Sequence, residues 1–550
     1  MRLVFWRATS DFSWPDSAWF KGDAPVWIEF ASALERGEEY ELGLPIHPPG
    51  AAYLVAALWN GKTESVPFLR FVWVLLGAAT VALFSLAARR GFGAVISFPL
   101  GIACAASTGL MVLSSSINVE TPYLLLVAAS FLVWERLREE PGLTRLGAWS
   151  ALQGVACLFR VEHLLFYLAM LFPLFRVSRA GRGLLPRRAL PASLALFLLP
   201  LVPWHASAWS KISRFNGRSL APARTARVIP WDPAALREEA RLPTFARNTA
   251  SAFLEATLHR RGGDRVRSED FRILGEAFGY TPRPIGEHPF VSSYGPLNFA
   301  LANNFRARGG FSRALLAESP PLRGGAALYP AELVVGLPPA DFSFVYPPHL
   351  RLFNEGYRVG WQWIRQNPAD YLRLAGRKLQ IFWTGAAMGF TGYNFPIGLS
   401  GIRRSVDMVV PEPGPVAAGW RLALLIGASL GLITGFRGEA LHPWLLFLAT
   451  KVVVTLLFFG YARQGASVIP VVLVLNVLAA VRWLSPWSRR LPHAVRQVAP
   501  TGVVLLLLMA EGTRIATAPA VTIDGRSIAS GDPFPGDRRS ERRISFSSSD

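Results

Sequence analysis

The apolar residues of this chain come in long runs separated by short polar stretches. The runs hold roughly 16 to 22 residues with almost no charge, which matches the length that a helix needs to cross a bilayer. Strand-like alternation of apolar and polar positions is absent, and backbone polar groups inside lipid are satisfied only in helices or closed barrels. The pattern therefore predicts an all-α polytopic membrane protein.

The runs fall into two blocks. About six helices are predicted in 69–207 and about four in 416–513, and a long segment at 208–415 separates the blocks. The predicted spans are 69–88, 93–114, 120–135, 145–159, 163–176, 188–207, 416–435, 440–460, 466–485 and 497–513. The tail at 514–550 is polar and ends in a serine run, which is typical of disorder.

A shorter apolar run at 47–61 is interpreted differently. It opens with His47-Pro48-Pro49-Gly50 and contains Tyr53 and Trp59, so we predict a helix lying in the membrane interface rather than crossing the bilayer. A crossing there would invert the orientation of every loop before the long segment.

Charge gives the blocks a direction. The chain carries 57 Lys and Arg against 37 Asp and Glu, a formal charge of +20. Arginines cluster in alternate loops, including Arg89-Arg90 and Arg187-Arg188, whereas the intervening short loops are poor in basic residues. This asymmetry assigns the basic loops to the cytoplasm. No basic domain stands apart from the membrane blocks, so a nucleic-acid partner is not expected.

The orientation places 1–68 and 208–415 outside the cytoplasm. The long segment is rich in Pro, Gly, Trp and Tyr and is predicted to be partly helical, with one helix starting near Asn367-Pro368. Because the chain starts outside and no span precedes residue 20, either the N-terminus crosses the membrane unaided or a first membrane helix is missing before Asp23, and we favour the second interpretation.

Ionisable residues are costly at membrane depth, so their position is informative. Six candidates are predicted to share a cleft on the outside face. They are Asp23, Arg70, Glu120, Arg160, Glu162 and Arg463, and Asp23 lies about 25 residues before His47-Pro48-Pro49. Carboxylates in such a cleft can act as a general base toward an acceptor hydroxyl or amine, and arginines can hold a phosphate with two hydrogen bonds.

Simpler interpretations exist for each candidate. Asp23 can cap the helix that begins near Pro25, and Glu120 can be a solvated group at a helix end. Arg160 and Glu162 can pair with each other, Arg463 can anchor to lipid headgroups, and His47 can be a turn residue. The joint pattern favours a shared site.

With these residues the chain resembles the polyprenyl-phosphate-sugar-dependent glycosyltransferases of the GT-C fold. It looks closest to the branch with protein O-mannosyltransferases, aminoarabinose–lipid A transferases and Rgt-type transferases. The family's first-loop Asp corresponds to Asp23, its Lys-Pro-Pro stretch to His47-Pro48-Pro49, and its second acidic residue to Glu120. Departures are Ala24, where the family has an acid after the Asp, and His47 in place of Lys.

The resemblance implies an inverting glycosyltransferase with a GT-C-like helix bundle and a long extracytoplasmic insertion. Asp23 would be the catalytic base, assisted by Glu120. Arg70, Arg160, Arg463 and His47 would bind the donor phosphate, and Glu162 would lie near the acceptor or in the surrounding shell.

The expected partners are a polyprenyl-phosphate sugar, membrane lipids, and a lipid, glycan or protein acceptor. No cofactor or metal is assigned, although a divalent cation between Asp23 and Glu120 stays open. Composition rich in Ala, Gly and Arg favours a bacterial inner membrane. The alternatives are a transporter or flippase for lipid-linked sugars, and a non-catalytic membrane scaffold.

Overall fold

The structure is a computed structural model and is all-α over the residues that it describes. Those residues are 2–3, 6, 24–62, 65–175, 185–220, 227–286, 289–317, 342–387, 415–435, 438–488 and 502. Within these ranges no β-strand occurs. The predicted span at 497–513, apart from Gly502, and the tail at 514–550 lie outside them.

From Ala24 onward, the described residues form ten helices that precede the long central segment or lead into it. They are α1 (Ala24–Glu35), α2 (Pro49–Ala56), α3 (Val66–Phe92), α4 (Ala94–Ala106), α5 (Thr108–Ser115), α6 (Glu120–Glu139), α7 (Leu143–Phe159), α8 (His163–Phe175), α9 (Leu190–Leu198) and α10 (Val202–Gly217). Short 3-10 turns at Glu41–Gly43, Arg187–Ala189 and Leu199–Leu201 join some of them.

The central and C-terminal helices follow in the same way. They are α11 (Pro233–Arg241), α12 (Thr244–Arg260), α13 (Arg272–Phe278), α14 (Gly295–Ala302), α15 (Ala314–Ala317), α16 (Pro347–Gln366), α17 (Pro368–Ala386), α18 (Pro415–Gly435), α19 (His442–Leu457), α20 (Ala462–Ala466) and α21 (Ile469–Ser488). The helix start predicted near Asn367-Pro368 is confirmed by α17.

Among the described residues, three helical stretches are long and apolar enough to cross a membrane: Val66–Phe92, Leu190–Gly217 and Glu439–Leu457. The first is α3, the second joins α9 and α10 through a 3-10 turn, and the third is α19 with the 3-10 turn before it. A fourth candidate is the pair α4 and α5, which is bent by 56°. The bend lies at Ser107, whose extended backbone ends α4 and whose hydroxyl accepts a hydrogen bond from the Leu110 amide. The run predicted as one span at 93–114 is thus broken at a helix cap. Together these helices confirm an all-α polytopic membrane protein.

The chain divides into two compact units. One contains 1–40, 47–206 and 376–525, and therefore both predicted membrane blocks; the other contains 41–46, 207–375 and 526–550. In the second unit, α12 and α13 pack with the neighbouring segments around Phe253, Leu254 and Leu274.

Aromatic side chains join the two membrane blocks inside the first unit. Phe131 of α6 lies 5.0 Å from Trp444 of α19 between ring centroids, and Phe166 of α8 lies 5.8 Å from Phe447. Trp444, Phe131, Phe166 and Phe447 are almost fully buried. Packing of large rings therefore fixes α19 against the first block, which matters because α19 leads to the site described below.

Glycines allow α17 to touch the segment around α20. A Cβ atom at Gly385 would stand 1.7 Å from the Ala462 carbonyl oxygen, and one at Gly465 would stand 1.9 Å from the Phe382 carbonyl oxygen. Small residues permit such close backbone approach between helices in membranes. Lys378 of α17 adds a hydrogen bond of 3.0 Å from its Nζ to the Leu456 carbonyl.

We expect Gly385→Ala to destabilise the first unit by about 3 kcal/mol, because the new methyl group overlaps a backbone oxygen that cannot move alone. Thermal melting of the purified protein in detergent measures the change. Gly376→Ala is the matched control, since it lies on the same helix and a Cβ there has nothing within 4 Å. Equal melting temperatures for the two variants would show that the close approach is not needed.

Candidate functional site

Glu120 opens α6 at the end of a buried linker. Before it, the Asn118 amide group donates to the Leu113 and Ser116 carbonyl oxygens, and its Oδ1 accepts the Thr121 amide hydrogen at 2.9 Å. These bonds fix the turn from which α6 starts. The carboxylate consequently stands in the first turn of the helix, where the helix dipole favours negative charge.

Two arginines bind the Glu120 carboxylate. Arg160 Nη2 forms an ion pair with Glu120 Oε1, and Arg463 Nε lies 3.3 Å from the same oxygen. Glu120 is 1% exposed, whereas Arg160 and Arg463 are 15% and 32% exposed. The second oxygen, Oε2, is buried and has no hydrogen-bond partner within the described part of the chain. Three residues predicted for one cleft are thus in direct contact.

Glu162 extends the cluster on the other side of Arg160. Its Oε1 lies 3.4 Å from Arg160 Nη1 and 3.1 Å from Lys451 Nζ. Burial alone would raise the pKa of this carboxyl group, which lies in the turn between α7 and α8, but the Lys451 and Arg160 cations outweigh burial and hold the pKa well below its usual value.

The cluster alternates in sign along its length. The order is Arg463, Glu120, Arg160, Glu162 and Lys451, so that each carboxylate lies between two cations. Among the described residues, the cluster therefore holds three cations and two carboxylates, and its exposure falls from 32% at Arg463 to 3% at Lys451. An excess of cations at a site that is largely shielded from water attracts an anionic group.

The supporting segments are short. Arg160 directly follows α7 with an extended backbone, and Arg463 lies on the five-residue α20. The close approach of α20 to α17 described above therefore fixes the backbone that carries Arg463.

Arg70 and Trp73 hold the linker that leads to Glu120. Arg70 Nε donates to the Ser115 carbonyl at 2.8 Å, and Trp73 Nε1 donates to the Asn118 carbonyl at 2.8 Å. Arg70 is almost fully buried. The guanidinium predicted to bind phosphate therefore also supports the backbone beside the site.

His47 packs against α1 and precedes the first turn of α2. Its ring meets the Trp27 ring edge-on at 5.5 Å. Three residues later, a Cβ at Gly50 would stand 2.7 Å from the Phe159 ring and 2.9 Å from the Leu158 carbonyl oxygen. The start of α2 is thus against the end of α7, next to Arg160.

Asp23 lies outside the described residues, directly before α1. Its role as a catalytic base therefore stays a prediction. The helix that follows Asp23 in the sequence packs near other candidate residues: Trp27 of α1 contacts His47, and α1 and α2 pack together.

Sequence reasoning missed Lys451. It lies within the apolar run predicted at 440–460, where a lone lysine is unusual and indicates a functional or structural partner inside the bundle. That signal alone would have identified it. The sequence does not reveal its partner, because Glu162 is 289 residues away along the chain.

No group of three or more His, Cys, Asp or Glu side chains within metal-binding reach occurs among the described residues. Since Asp23 is not one of them, a cation held between Asp23 and Glu120 stays an untested alternative.

Residues 46–207 match the model of the dolichyl-phosphate-mannose-protein mannosyltransferase family. No curated protein and no solved structure matches the chain. The matched segment includes His47, Arg70, Glu120, Arg160 and Glu162, whereas Arg463 and Lys451 lie beyond it. Over these residues the chain is similar to a membrane glycosyltransferase family of the GT-C type, and the match confirms there the resemblance drawn from the sequence.

Proposed function

We propose that this protein transfers a sugar from a polyprenyl-phosphate donor to an acceptor on the extracytoplasmic face of the membrane. The observation that carries the proposal is the buried Glu120 carboxylate bound by Arg160 and Arg463, in a cluster whose described side chains include three cations and two carboxylates. The family match over 46–207 supports the reaction class.

The phosphate of the donor is the natural ligand of the surplus charge. When the bond between the anomeric carbon and the phosphate oxygen breaks, the phosphate keeps the electron pair and gains negative charge. Arg160 and Arg463 can donate several N–H groups to its oxygens, and Arg70 and His47 are proposed to assist. Stabilisation of this developing charge lowers the barrier.

Asp23 is proposed to accept the proton of the acceptor. The acceptor oxygen or nitrogen attacks the anomeric carbon from the side opposite the phosphate, so one displacement inverts that centre. Asp23 takes the proton as the new bond forms. The sugar can be a hexose, as in the mannose of the matching family's name, or a pentose.

Glu120 has two proposed tasks. Through Oε1 it holds the two guanidiniums at a fixed spacing. Through Oε2, which has no hydrogen-bond partner in the described part of the chain, it can accept a hydrogen bond from the acceptor or the sugar. Glu162 is proposed to act on the substrate indirectly, through Arg160, because its Oε1 already lies between the Arg160 and Lys451 cations.

A bacterial inner membrane is proposed as the location. The support is the positive-inside pattern of the loops together with the composition. In this orientation the cluster lies at the outer ends of the helices, where the phosphate of a lipid donor would be found while its chain stays in the bilayer.

The transporter alternative has one observation in its favour. Three buried polar side chains contact one another inside the first block: Tyr167 Oη lies 2.9 Å from Ser193 Oγ, which lies 2.8 Å from Ser150 Oγ. Proteoliposomes loaded with labelled lipid-linked sugar separate the two functions. Transport without transfer to an acceptor would favour the transporter.

We expect Arg463→Gln to raise the KM for the donor about 30-fold, because a charge-assisted hydrogen bond to phosphate is lost. The assay supplies membranes containing the protein with radiolabelled polyprenyl-phosphate mannose and measures labelled product. Arg145→Gln is the matched control, an exposed arginine that pairs with Glu140 at the predicted inner face. Transfer with an unchanged KM in Arg463→Gln would remove Arg463 from the donor site; no transfer from any polyprenyl-phosphate sugar would refute the proposed function.

A further inference from the structure

Lys451 occupies a fixed pocket at the end of the ionic cluster. Its side chain is 3% exposed, and its Nζ donates to Glu162 Oε1 at 3.1 Å. The same ammonium group lies 4.6 Å from the centroid of the Tyr123 ring and 5.6 Å from that of Phe447. One carboxylate and two aromatic faces therefore surround the charge, a favourable setting for a cation away from water.

A chain of hydrogen bonds through His163 to Gln153 holds the Tyr123 side chain in place. Its hydroxyl lies 2.9 Å from His163 Nδ1, and His163 Nε2 lies 2.6 Å from Gln153 Oε1. An amide oxygen only accepts, so Nε2 carries the hydrogen and Nδ1 accepts from the tyrosine. All three side chains are buried. The ring that faces Lys451 thus has little freedom to move away.

Because Glu162 lies between Lys451 and Arg160 in the cluster, Lys451 can affect Arg160 through Glu162. With Lys451 present, the Glu162 carboxylate is neutralised by two cations, so only part of its attraction acts on Arg160. Without Lys451, the described groups of the cluster lose their surplus positive charge, and Glu162, which is 18% exposed, has Arg160 as its one remaining cation among the described residues. Arg160 is then drawn toward Glu162 and away from Glu120 and the phosphate.

We propose that Lys451 is a positioning residue that neutralises Glu162 and so keeps Arg160 directed toward Glu120 and the donor phosphate. This inference rests on the proposed function, and it adds a residue outside the matched segment 46–207. Lys451 need not touch the substrate. Its effect is carried by two ion pairs, Lys451–Glu162 and Glu162–Arg160.

If Lys451 acts in this way, removing the charges of both Lys451 and Glu162 should weaken phosphate binding less than removing the charge of Lys451 alone. Lys451→Met leaves Glu162 to be neutralised by Arg160 and cancels the surplus charge of the described cluster. Lys451→Met combined with Glu162→Gln leaves Arg463, Glu120 and Arg160, which again carry one surplus positive charge. The double variant should therefore recover phosphate binding that the single variant loses.

The test measures binding of polyprenyl phosphate, the product of donor cleavage, to the full-length protein in nanodiscs. We expect Lys451→Met to weaken the Kd about 100-fold, since breaking one partner of a buried ion pair is costly. The double variant should bind within about tenfold of the wild type, and Lys451→Arg, which keeps the charge, should also retain binding.

The control replaces a different buried carboxylate. Glu135 lies fifteen residues after Glu120 on the same helix, 1% exposed and paired with Arg138. Lys451→Met combined with Glu135→Gln should stay as weak as Lys451→Met alone. Rescue by Glu135→Gln as well would mean that general charge balance, not the local chain of ion pairs, controls binding.

The outcomes separate the two hypotheses. Wild-type protein that does not bind polyprenyl phosphate refutes the proposed function. Wild-type protein that binds it, with a double variant as weak as Lys451→Met, overturns the positioning role. Melting temperatures of all variants identify any that fail to fold. If Lys451→Met fails to fold, the double variant still tests the proposal: a double variant that folds but does not bind polyprenyl phosphate overturns the positioning role.

Discussion

Asp23→Asn is expected to lower kcat for transfer about 1,000-fold while the KM for the donor changes little. Asparagine has nearly the same shape as aspartate but cannot accept the acceptor proton, and general-base catalysis typically contributes factors of this size. Single-turnover transfer from labelled polyprenyl-phosphate sugar, with donor binding measured separately, distinguishes a slower chemical step from weaker binding.

The matched control is Glu29→Gln. Glu29 is an exposed carboxylate on α1, a short distance from Asp23 along the chain. Its loss should leave transfer unchanged, because nothing places it at the ionic cluster. Full activity of Asp23→Asn would exclude Asp23 as the base and would direct attention to Oε2 of Glu120.

Glu120→Gln is the second change with a large expected effect. The amide cannot neutralise Arg160 and Arg463, so two guanidiniums lose their shared carboxylate at a site where Glu120 is 1% exposed. We expect a loss of about 3 kcal/mol in stability, a value below the upper range for buried pairs because Arg463 is partly solvated. Thermal melting in detergent measures it.

Donor use should fall in the same variant, by about 100-fold in kcat/KM, because the arginines would repel each other and lose their spacing. Glu135→Gln again provides the comparison: it removes a buried carboxylate from α6 and should cost stability without changing kcat/KM. Normal transfer by a folded Glu120→Gln protein would show that the arginines need no carboxylate between them.

Much of the site was predictable because the constraints of a bilayer are strong. Long apolar runs define the helices, and basic loops define their direction, so residues at the ends of separate helices can be assigned to one face. Glu120, Arg160 and Arg463 were predicted to converge on this basis, and the structure brings all three into contact.

Which side chains form ion pairs with each other inside the site is harder to predict from the sequence. Arg160 and Glu162 are two residues apart, and their pairing with each other is the simpler interpretation from the sequence. They do pair, and Arg160 is also shared with Glu120. Lys451 was hidden in an apolar run. Which helices become neighbours depends on packing of rings such as Phe131 and Trp444, and hydropathy contains no information about that choice.

The break at Ser107 shows a related limit. Hydropathy treats 93–114 as one run, because serine and alanine scarcely interrupt it. The helix nevertheless ends there, since the Ser107 hydroxyl can satisfy an amide of the next helix. A cap of this kind depends on one hydrogen bond, whereas a span prediction averages over many residues.

The ion pair between Lys451 and Glu162 also has a consequence for biogenesis. A lysine within a membrane helix makes insertion by the translocon less favourable, by about 3 kcal/mol at the helix centre and less toward the ends. Glu162 is synthesised 289 residues earlier, roughly 15 to 60 s ahead at ordinary translation rates. We therefore expect α19 to insert stably only when the first block is already assembled to receive its lysine, so that an error in the first block would also leave α19 outside the bilayer.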